Sequence, residues 1–270
     1  MADWEKILSR GRVDDRRGLG GGVLAGGGIV SVLLLMGVTY LMGGNPLDVL
    51  LQTDPAVFQQ SLSPEEAAQF EGEDDYEVFV STILGSNNEY WEAEFTRQNE
   101  NYTEPQLVLF RGQTSSACGG AASMVGPHYC PADNTIYLDE TFFKELTSRF
   151  GAEGGDVAEA YVISHEVGHH VQHLLGVLQE DETNQDSIET ELQADCFAGL
   201  WASTLKDSGV FAEGEINEAI DAAAAVGDDR IQSATRGQVH PETWTHGSSE
   251  QRVTAFNNGY NSASFNSCTR

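Results

Sequence analysis

Two histidines one helical turn apart, set in an apolar run, constrain this chain more than any other feature. The apolar residues 160–164 lead directly into an H-E-x-x-H motif at 165–169. Residues four apart share one face of an α-helix, so His165 and His169 can reach the same metal ion. Glu166, one position along, is placed to act on a water molecule without binding the metal. The pattern predicts a metal-binding helix, and its alternative is a helix with two surface histidines and a solvated glutamate.

A second helix is predicted about twenty residues later, over 189–201, where no proline interrupts an apolar stripe. Glu191 and Asp195 are four residues apart and share a face of it. A catalytic zinc takes three protein ligands and leaves a fourth position for water. We therefore assign Glu191 as the third ligand and Asp195 as the carboxylate that accepts the free ring N–H of a ligating histidine. The alternative is that Glu191 and Asp195 simply belong to a solvent-exposed acidic face of the helix.

A third helix is predicted to begin near residue 248, with Ser248 or Ser249 as its cap. His246 stands just before this start. Peptide hydrolysis needs a hydrogen-bond donor for the oxyanion, and His246 is the candidate. Arg252 is predicted to brace the metal-binding helices or a histidine. The alternative is a capped surface helix with an ordinary histidine.

The remaining pattern places strands before helices, which indicates an α+β fold. Residues 107–110 and 134–139 read as short strands. We expect the strand at 136–138 to lie at a sheet edge near the metal and to hold an extended peptide by strand addition.

The front of the chain is predicted to be a membrane anchor. No charged residue occurs from 18 to 47, which is enough for the ~20 residues that span a bilayer. This stretch follows the basic residues Lys6, Arg10, Arg12, Arg16 and Arg17, and the first charged residue after it is Asp48. The positive-inside rule therefore places the N-terminus in the cytoplasm and the remainder outside. The predicted parts are a cytoplasmic basic N-terminus (1–18), a transmembrane anchor (19–43), an acidic tether (44–75) and a metallopeptidase domain (76–270). A cleaved signal peptide is the alternative.

Four cysteines outside the cytoplasm suggest disulfides. Four allow three pairings. We favour Cys118–Cys130, which closes a short loop, and Cys196–Cys268, which pins the C-terminal tail. The alternative is that some remain free buried thiols. The net charge of −28 argues against binding to nucleic acid.

The anchor, the cysteines and the segments 165–172, 191–196 and 245–247 together resemble the "Putative neutral zinc metallopeptidase" family of bacterial proteins with an N-terminal membrane anchor. The similarity covers nearly all of the chain after residue 75. The resemblance implies a zincin-like fold with two metal-binding helices and a small sheet. It also implies one Zn²⁺ on His165, His169 and Glu191, with Glu166 as general base.

The sequence and this resemblance together predict a membrane-anchored zinc endopeptidase that faces outward and hydrolyses peptide or protein substrates with metal-activated water. The segment 245–247 with Arg252 is also similar to a Thr-His-Pro…Arg segment of another membrane-linked zinc peptidase family, with Gly247 in place of the proline. The alternative function is a catalytically silent, zinc-stabilised extracytoplasmic binding or scaffold domain. A serine hydrolase is disfavoured because the chain lacks a G-x-S-x-G motif.

Overall fold

The computed structural model of the chain describes residues 1–17, 74–122, 126–178 and 183–269. Within these ranges the predicted α+β class is confirmed, with seven α-helices, a four-stranded sheet and a two-stranded sheet. The strands are β1 (Val13–Asp15), β2 (Gln106–Phe110), β3 (Gln113–Ser116), β4 (Gly119–Ala122), β5 (His128–Cys130) and β6 (Thr135–Asp139). The helices are α1 (Asp75–Gln98), α2 (Phe142–Ser148), α3 (Asp156–Leu174), α4 (Asn184–Ser203), α5 (Ile216–Ala225), α6 (Asp228–Arg236) and α7 (Ser249–Ser262).

The four-stranded sheet has the order β1-β2-β6-β5. Strand β2 is parallel to both β1 and β6, whereas β5 is antiparallel to β6. All five residues of β6 are buried, as expected of a central strand. The prediction that 136–138 form the substrate-binding edge was wrong, because β6 already has a hydrogen-bonded neighbour on each side. Strand β5 is the edge on that side of the sheet.

Helix α3 carries the H-E-x-x-H motif and runs through the core, with buried residues on all of its faces. This burial excludes the alternative of a surface helix with two solvated histidines. Helix α4 begins at a capping box formed by Thr183 and Asp186, which satisfies two N-terminal amides. Helix α7 begins in the same way at Ser248 and Gln251, so the predicted cap is confirmed. The contacts of α7 with α4 and of α4 with α3 dominate the helical packing.

Both expected disulfides are present. Cys118 and Cys130 join the β3–β4 hairpin region to β5, with 5.8 Å between their Cα atoms. Cys196 and Cys268 join α4 to the C-terminal tail, with 5.6 Å between theirs. The second bridge lies in the same helix as Glu191, so it fixes the tail against a metal-site helix.

Residues 1–17 pack against the domain, and β1 forms the second edge of the sheet. This packing was not predicted, because residues 1–18 were interpreted as a separate cytoplasmic segment. The predicted anchor (19–43) and nearly all of the tether (44–75) lie outside the described residues. In the ranges that are described, no helix is long and apolar enough to cross a membrane.

Candidate metal centre

Helix α3 presents two imidazoles to one point. The ring centroids of His165 and His169 are 4.7 Å apart, and the two rings are nearly perpendicular. Their Nδ1 atoms are both engaged, with Asp195 Oδ1 at 2.8 Å from His165 and Gln172 Oε1 at 2.9 Å from His169. Each histidine therefore turns its Nε2 atom, with its lone pair, towards the shared point.

Helix α4 brings the third predicted ligand to that point. The two helices approach closely where Gly168 meets Ala194: a Cβ at Gly168 would lie only 3.0 Å from the Cα of Ala194. The glycine inside the H-E-x-x-H motif is therefore what lets α4 come near. As a result, Glu191 Oε2 lies 3.3 Å from His165 Nε2, and Glu191 Oε1 lies 3.3 Å from His169 Nε2.

These spacings fit a zinc ion. Bonds from zinc to histidine nitrogen or carboxylate oxygen are about 2.0–2.2 Å long, so two ligand atoms on one tetrahedral ion lie about 3.3 Å apart. Among the described residues, His165, His169 and Glu191 are the group of metal-ligating side chains whose ligand atoms all lie within 4.8 Å of one another. Two imidazoles and one carboxylate are also a donor set typical of catalytic zinc, which leaves one position open.

The electrostatics of the three residues are tightly coupled. Burial alone would lower the pKa of His165, but the Asp195 carboxylate outweighs burial and raises it to about 10. Burial likewise opposes the charged form of His169, and the Glu191 carboxylate raises its pKa. Burial would raise the pKa of Glu191, yet the two histidines hold it well below its usual range. A divalent cation competes with these protons for the same atoms.

A buried charged network supports His165. Besides holding the histidine, Asp195 accepts a bidentate pair from Arg252, with Nε and Nη2 at 2.8 and 2.9 Å. Tyr161 donates its hydroxyl to the same carboxylate at 2.5 Å. Arg252 also lies 3.7 Å from Glu191 through Nη1. The structure thus brings the predicted residues Asp195 and Arg252 to the site, and it adds Tyr161, which the sequence analysis missed.

A neutral network supports His169. Gln172 lies two residues before the end of α3, is fully buried, and places its Oε1 against the imidazole. Its Nε2 donates to the carbonyl of Thr190 at 2.7 Å and to Gln193 Oε1 at 3.0 Å. Gln193 in turn donates to the carbonyl of Cys268 at 2.9 Å. Sequence reasoning missed Gln172, and its position three residues after His169 was the signal available.

Glu166 is buried beside the ligands but makes no ion pair with them in the described part of the chain. Its side chain lines the same cavity as His165, His169 and Glu191. Its Oε2 atom is buried and has no hydrogen-bond partner among the described residues. A buried carboxylate oxygen normally has a partner, so this atom is suited to accept a hydrogen bond from a water molecule in the cavity.

The cavity has a volume of about 580 Å³. The ligands line one part of it, and residues 128 and 129 of the edge strand β5 line another. Apolar side chains complete much of the wall: Phe142, Phe150, Val162, Val226 and Ile231. A largely apolar wall with a few polar groups is typical of ligand-binding cavities.

His246 also lines this cavity, and about half of its side chain is exposed. Asp228, the first residue of α6, holds the loop around it. The Asp228 carboxylate accepts hydrogen bonds from the backbone amides of Thr245, His246 and Gly247 at 2.7–3.0 Å, and its Oδ1 lies 3.3 Å from His246 Nδ1. Asp228 was not singled out from the sequence. The structure therefore places His246 at the wall of the cavity, with its ring tethered from one side.

His170 has a different role from its two neighbours. It is fully buried, with Nδ1 2.9 Å from the hydroxyl of Tyr129 and Nε2 2.6 Å from the carbonyl of Thr103. Burial lowers its pKa to about 4, so the ring is neutral at neutral pH. It ties α3 to strand β5 and faces away from the metal point.

The chain is similar to uncharacterized bacterial proteins. The chain is 38% identical over 282 residues to YpfJ of Escherichia coli K12, an uncharacterized protein, covering 96% of this chain and 95% of that one. It is 50% identical over 182 residues to the uncharacterized protein Rv2575 of Mycobacterium tuberculosis H37Rv, covering 62% of each chain. No solved structure matches the chain. A family model matches residues 2–270, and the chain therefore belongs to the family described as "Putative neutral zinc metallopeptidase".

Proposed function

We propose that the protein is a zinc-dependent peptidase that hydrolyses internal peptide bonds with Glu166 as general base. The observation that carries the proposal is the convergence of three ligand atoms within 4.8 Å, in a cavity that also contains the unpartnered Glu166 carboxylate oxygen. His165, His169 and Glu191 would hold one zinc ion. Zinc bound there would supply a Lewis acid and a water molecule of lowered pKa.

Glu166 would move the proton. Its free oxygen accepts a proton from the attacking water and later delivers it to the leaving amine. General acid–base catalysis of this kind contributes about 10²–10⁴-fold to rate. The placement next to His165 in sequence, on a rigid buried helix, keeps the carboxylate in the cavity without making it a ligand.

His246 is the proposed donor to the developing oxyanion. Its ring lines the cavity, and Asp228 fixes the orientation of the loop that carries it. Removing a single oxyanion donor costs about 10²–10³-fold in turnover in well-studied hydrolases. Arg252 acts differently, as a positioning residue that fixes His165 through Asp195.

The substrate would bind as an extended peptide along β5. In the described sheet β5 pairs with β6 alone, so its other edge is available for strand addition. Residues 128 and 129 of β5 line the cavity that holds the ligands. A peptide paired along β5 would continue past the ligands in both directions, which is why we propose an endopeptidase.

The test is the hydrolysis of a peptide library by the full-length protein and by Glu166→Gln. The variant keeps the shape of the side chain and removes the base, so zinc content stays the same and turnover falls by at least about 10²-fold. Glu189→Gln is the matched control, because Glu189 is an exposed glutamate on α4. Equal turnover in Glu166→Gln would contradict the mechanism. A zinc-loaded wild type that cleaves no peptide would support the silent scaffold instead.

A further inference from the structure

The first seventeen residues are built into the metal-bearing domain. Strand β1 pairs in parallel with β2, with Val13 beside Leu107 and Asp15 beside Leu109. The ladder includes the amide of Leu107 donating to the carbonyl of Arg12 at 3.0 Å, and the amide of Arg16 donating to the carbonyl of Leu109 at 2.7 Å. Because β2 is a central strand, β1 is a part of the sheet that also contains β5.

The residues before β1 are fastened to the helices. The backbone amide of Ala2 and the indole N–H of Trp4 both donate to Asp156, at 2.8 and 2.7 Å. Asp156 is the first residue of α3, the helix that carries the metal-binding histidines. At Gly85 of α1 the backbone of Arg10 comes so near that a Cβ would lie 2.5 Å from its amide nitrogen. These contacts span the segment from end to end.

Arg17 closes this arrangement. Its side chain is almost fully buried and pairs with Asp15 at 2.6 Å, Asp74 at 2.9 Å and Glu140 at 2.8 Å. Asp74 caps helix α1, and Glu140 directly follows β6. The ion pair between Arg17 and Asp74 joins the two ends of the segment 18–73, so the chain leaves the domain and returns to it at the same place.

This geometry gives the basic residues before the uncharged stretch a second explanation. The orientation predicted from the sequence relied on Lys6, Arg10, Arg12, Arg16 and Arg17 as charges held in the cytoplasm. In the structure Arg17 is a buried partner of three carboxylates, and Arg16 pairs with Asp14 at 2.8 Å. Lys6 donates to the carbonyl of Gly209 in the domain. The charged groups of Lys6, Arg16 and Arg17 therefore contact partners within the fold.

We propose that residues 1–17 and the metal-bearing domain lie on the same side of the membrane. A single crossing between residues 17 and 74 would separate β1 from β2 by the ~30 Å of the hydrocarbon core, which is incompatible with their hydrogen bonds. Strand β1 is also the edge opposite β5, three strand spacings or about 14 Å away. The proposed substrate edge is therefore on the far side of the sheet from the place where the segment leaves.

The experiment places single thiols on the full-length protein in its native cells. All four native cysteines are paired in disulfides, so an introduced cysteine is the reactive thiol. Leu8→Cys reports on the N-terminal segment, where the side chain is 87% exposed, and Val239→Cys reports on the domain, where it is 43% exposed. A membrane-impermeant maleimide is applied to intact cells and to cells with opened membranes.

The proposal expects both thiols to react under the same condition. We expect both thiols to react in intact cells, because the two disulfides indicate an oxidising compartment outside the cytoplasm. Reaction of one thiol in intact cells and of the other only after opening would overturn it. Glu5→Cys, at a second exposed position, repeats the measurement if Leu8→Cys does not accumulate. The outcome does not depend on whether the domain hydrolyses peptides, so it is separable from the proposed function.

Discussion

The two ligating histidines are held in place by opposite kinds of chemistry. His165 is hydrogen-bonded to the buried carboxylate of Asp195, which also accepts a bidentate pair from Arg252. His169 leans on a neutral amide, Gln172, whose other end is satisfied by the carbonyl of Thr190 and by Gln193. A carboxylate makes the histidine that it contacts a stronger metal ligand. A buried carboxylate also needs a nearby cation to offset the cost of its burial.

The difference shows that the two hydrogen-bond networks contribute differently to metal binding and to helix packing. The charged network joins α3, α4 and α7, so it is needed for metal binding and for the packing of three helices together. The amide network joins α3 to α4 and reaches the C-terminal tail through Gln193 and Cys268. Because the amide network contains no buried charge, disrupting it leaves no charged group without a partner. We therefore expect damage on the His165 side to exceed damage on the His169 side.

The largest effect is expected for Asp195→Asn. The variant leaves the buried Arg252 without its carboxylate, and breaking a buried ion pair costs about 3–5 kcal/mol. Loss of the carboxylate behind His165 should also weaken zinc binding by about 10–100-fold. Urea unfolding of the metal-free protein measures the first effect, and competition with a chromogenic chelator measures the second. A free energy of unfolding within about 1 kcal/mol of the wild type would contradict the charged-network account.

A double variant separates the contribution of this network to folding stability from its contribution to zinc affinity. In Asp195→Asn combined with Arg252→Met the unpaired buried charge is gone, so most of the lost stability should return. Zinc affinity should remain low, because the carboxylate behind His165 is still missing. If stability and zinc affinity recover together, the network acts only through folding, and the positioning role of Asp195 fails.

A smaller effect is expected for Gln172→Met. The variant removes the acceptor that Gln172 offers to the ring N–H of His169, and leaving that buried donor unsatisfied costs about 1–3 kcal/mol in unfolding free energy. Zinc affinity should fall by about 10-fold, the low end for such partners. Gln185→Met, the same change at an exposed position of α4, is the matched control. A greater loss of zinc affinity in Gln172→Met than in Asp195→Asn would reverse the proposed ranking.

The smallest effect on zinc binding is expected at a partly buried carboxylate outside the group of ligands, which, unlike Asp195, has no ion pair in the described part of the chain. Burial raises the pKa of Glu159, on α3, to about 7. A folded-state pKa above the unfolded value of about 4.5 means that the native state binds more protons between these values, so stability falls as pH rises from about 4.5 to about 7. Glu159→Gln should flatten this slope, with a difference of at most about 3 kcal/mol at pH 8. Thermal unfolding from pH 4.5 to 8 tests it, and an unchanged slope would show that Glu159 does not titrate in this range.

Most of the charged network was predictable from the sequence, with Tyr161 as the exception, and the neutral network was not. His165, His169, Glu191 and Asp195 share helical faces at a spacing of four, and a pattern of that kind is visible without a structure. Gln172 is an ordinary polar residue at an ordinary position. Its role depends on Thr190 and Gln193 in another helix, and no local pattern reports such a contact.

The sheet shows the same limit. The apolar strands β2 and β6 were predicted nearly to their ends, because buried strands have a clear composition. Their order was not, since pairing joins residues that are distant in sequence, and the strand taken for the edge proved to be central. Strand β1 has three residues, two of them aspartates, so it has no alternating apolar pattern. The neighbouring uncharged stretch led to a different interpretation of residues 1–18.

The most direct test of the central claim is the zinc content of the full-length protein and of Glu191→Gln, with Glu189→Gln as the matched control. Glu191 touches both histidines, whereas Glu189 is exposed and two residues away. The account predicts one zinc per chain in the wild type and in Glu189→Gln, and a clear loss in Glu191→Gln. A well-folded wild type without zinc, or a Glu191→Gln variant that holds zinc as tightly as the wild type, would contradict the three-ligand site.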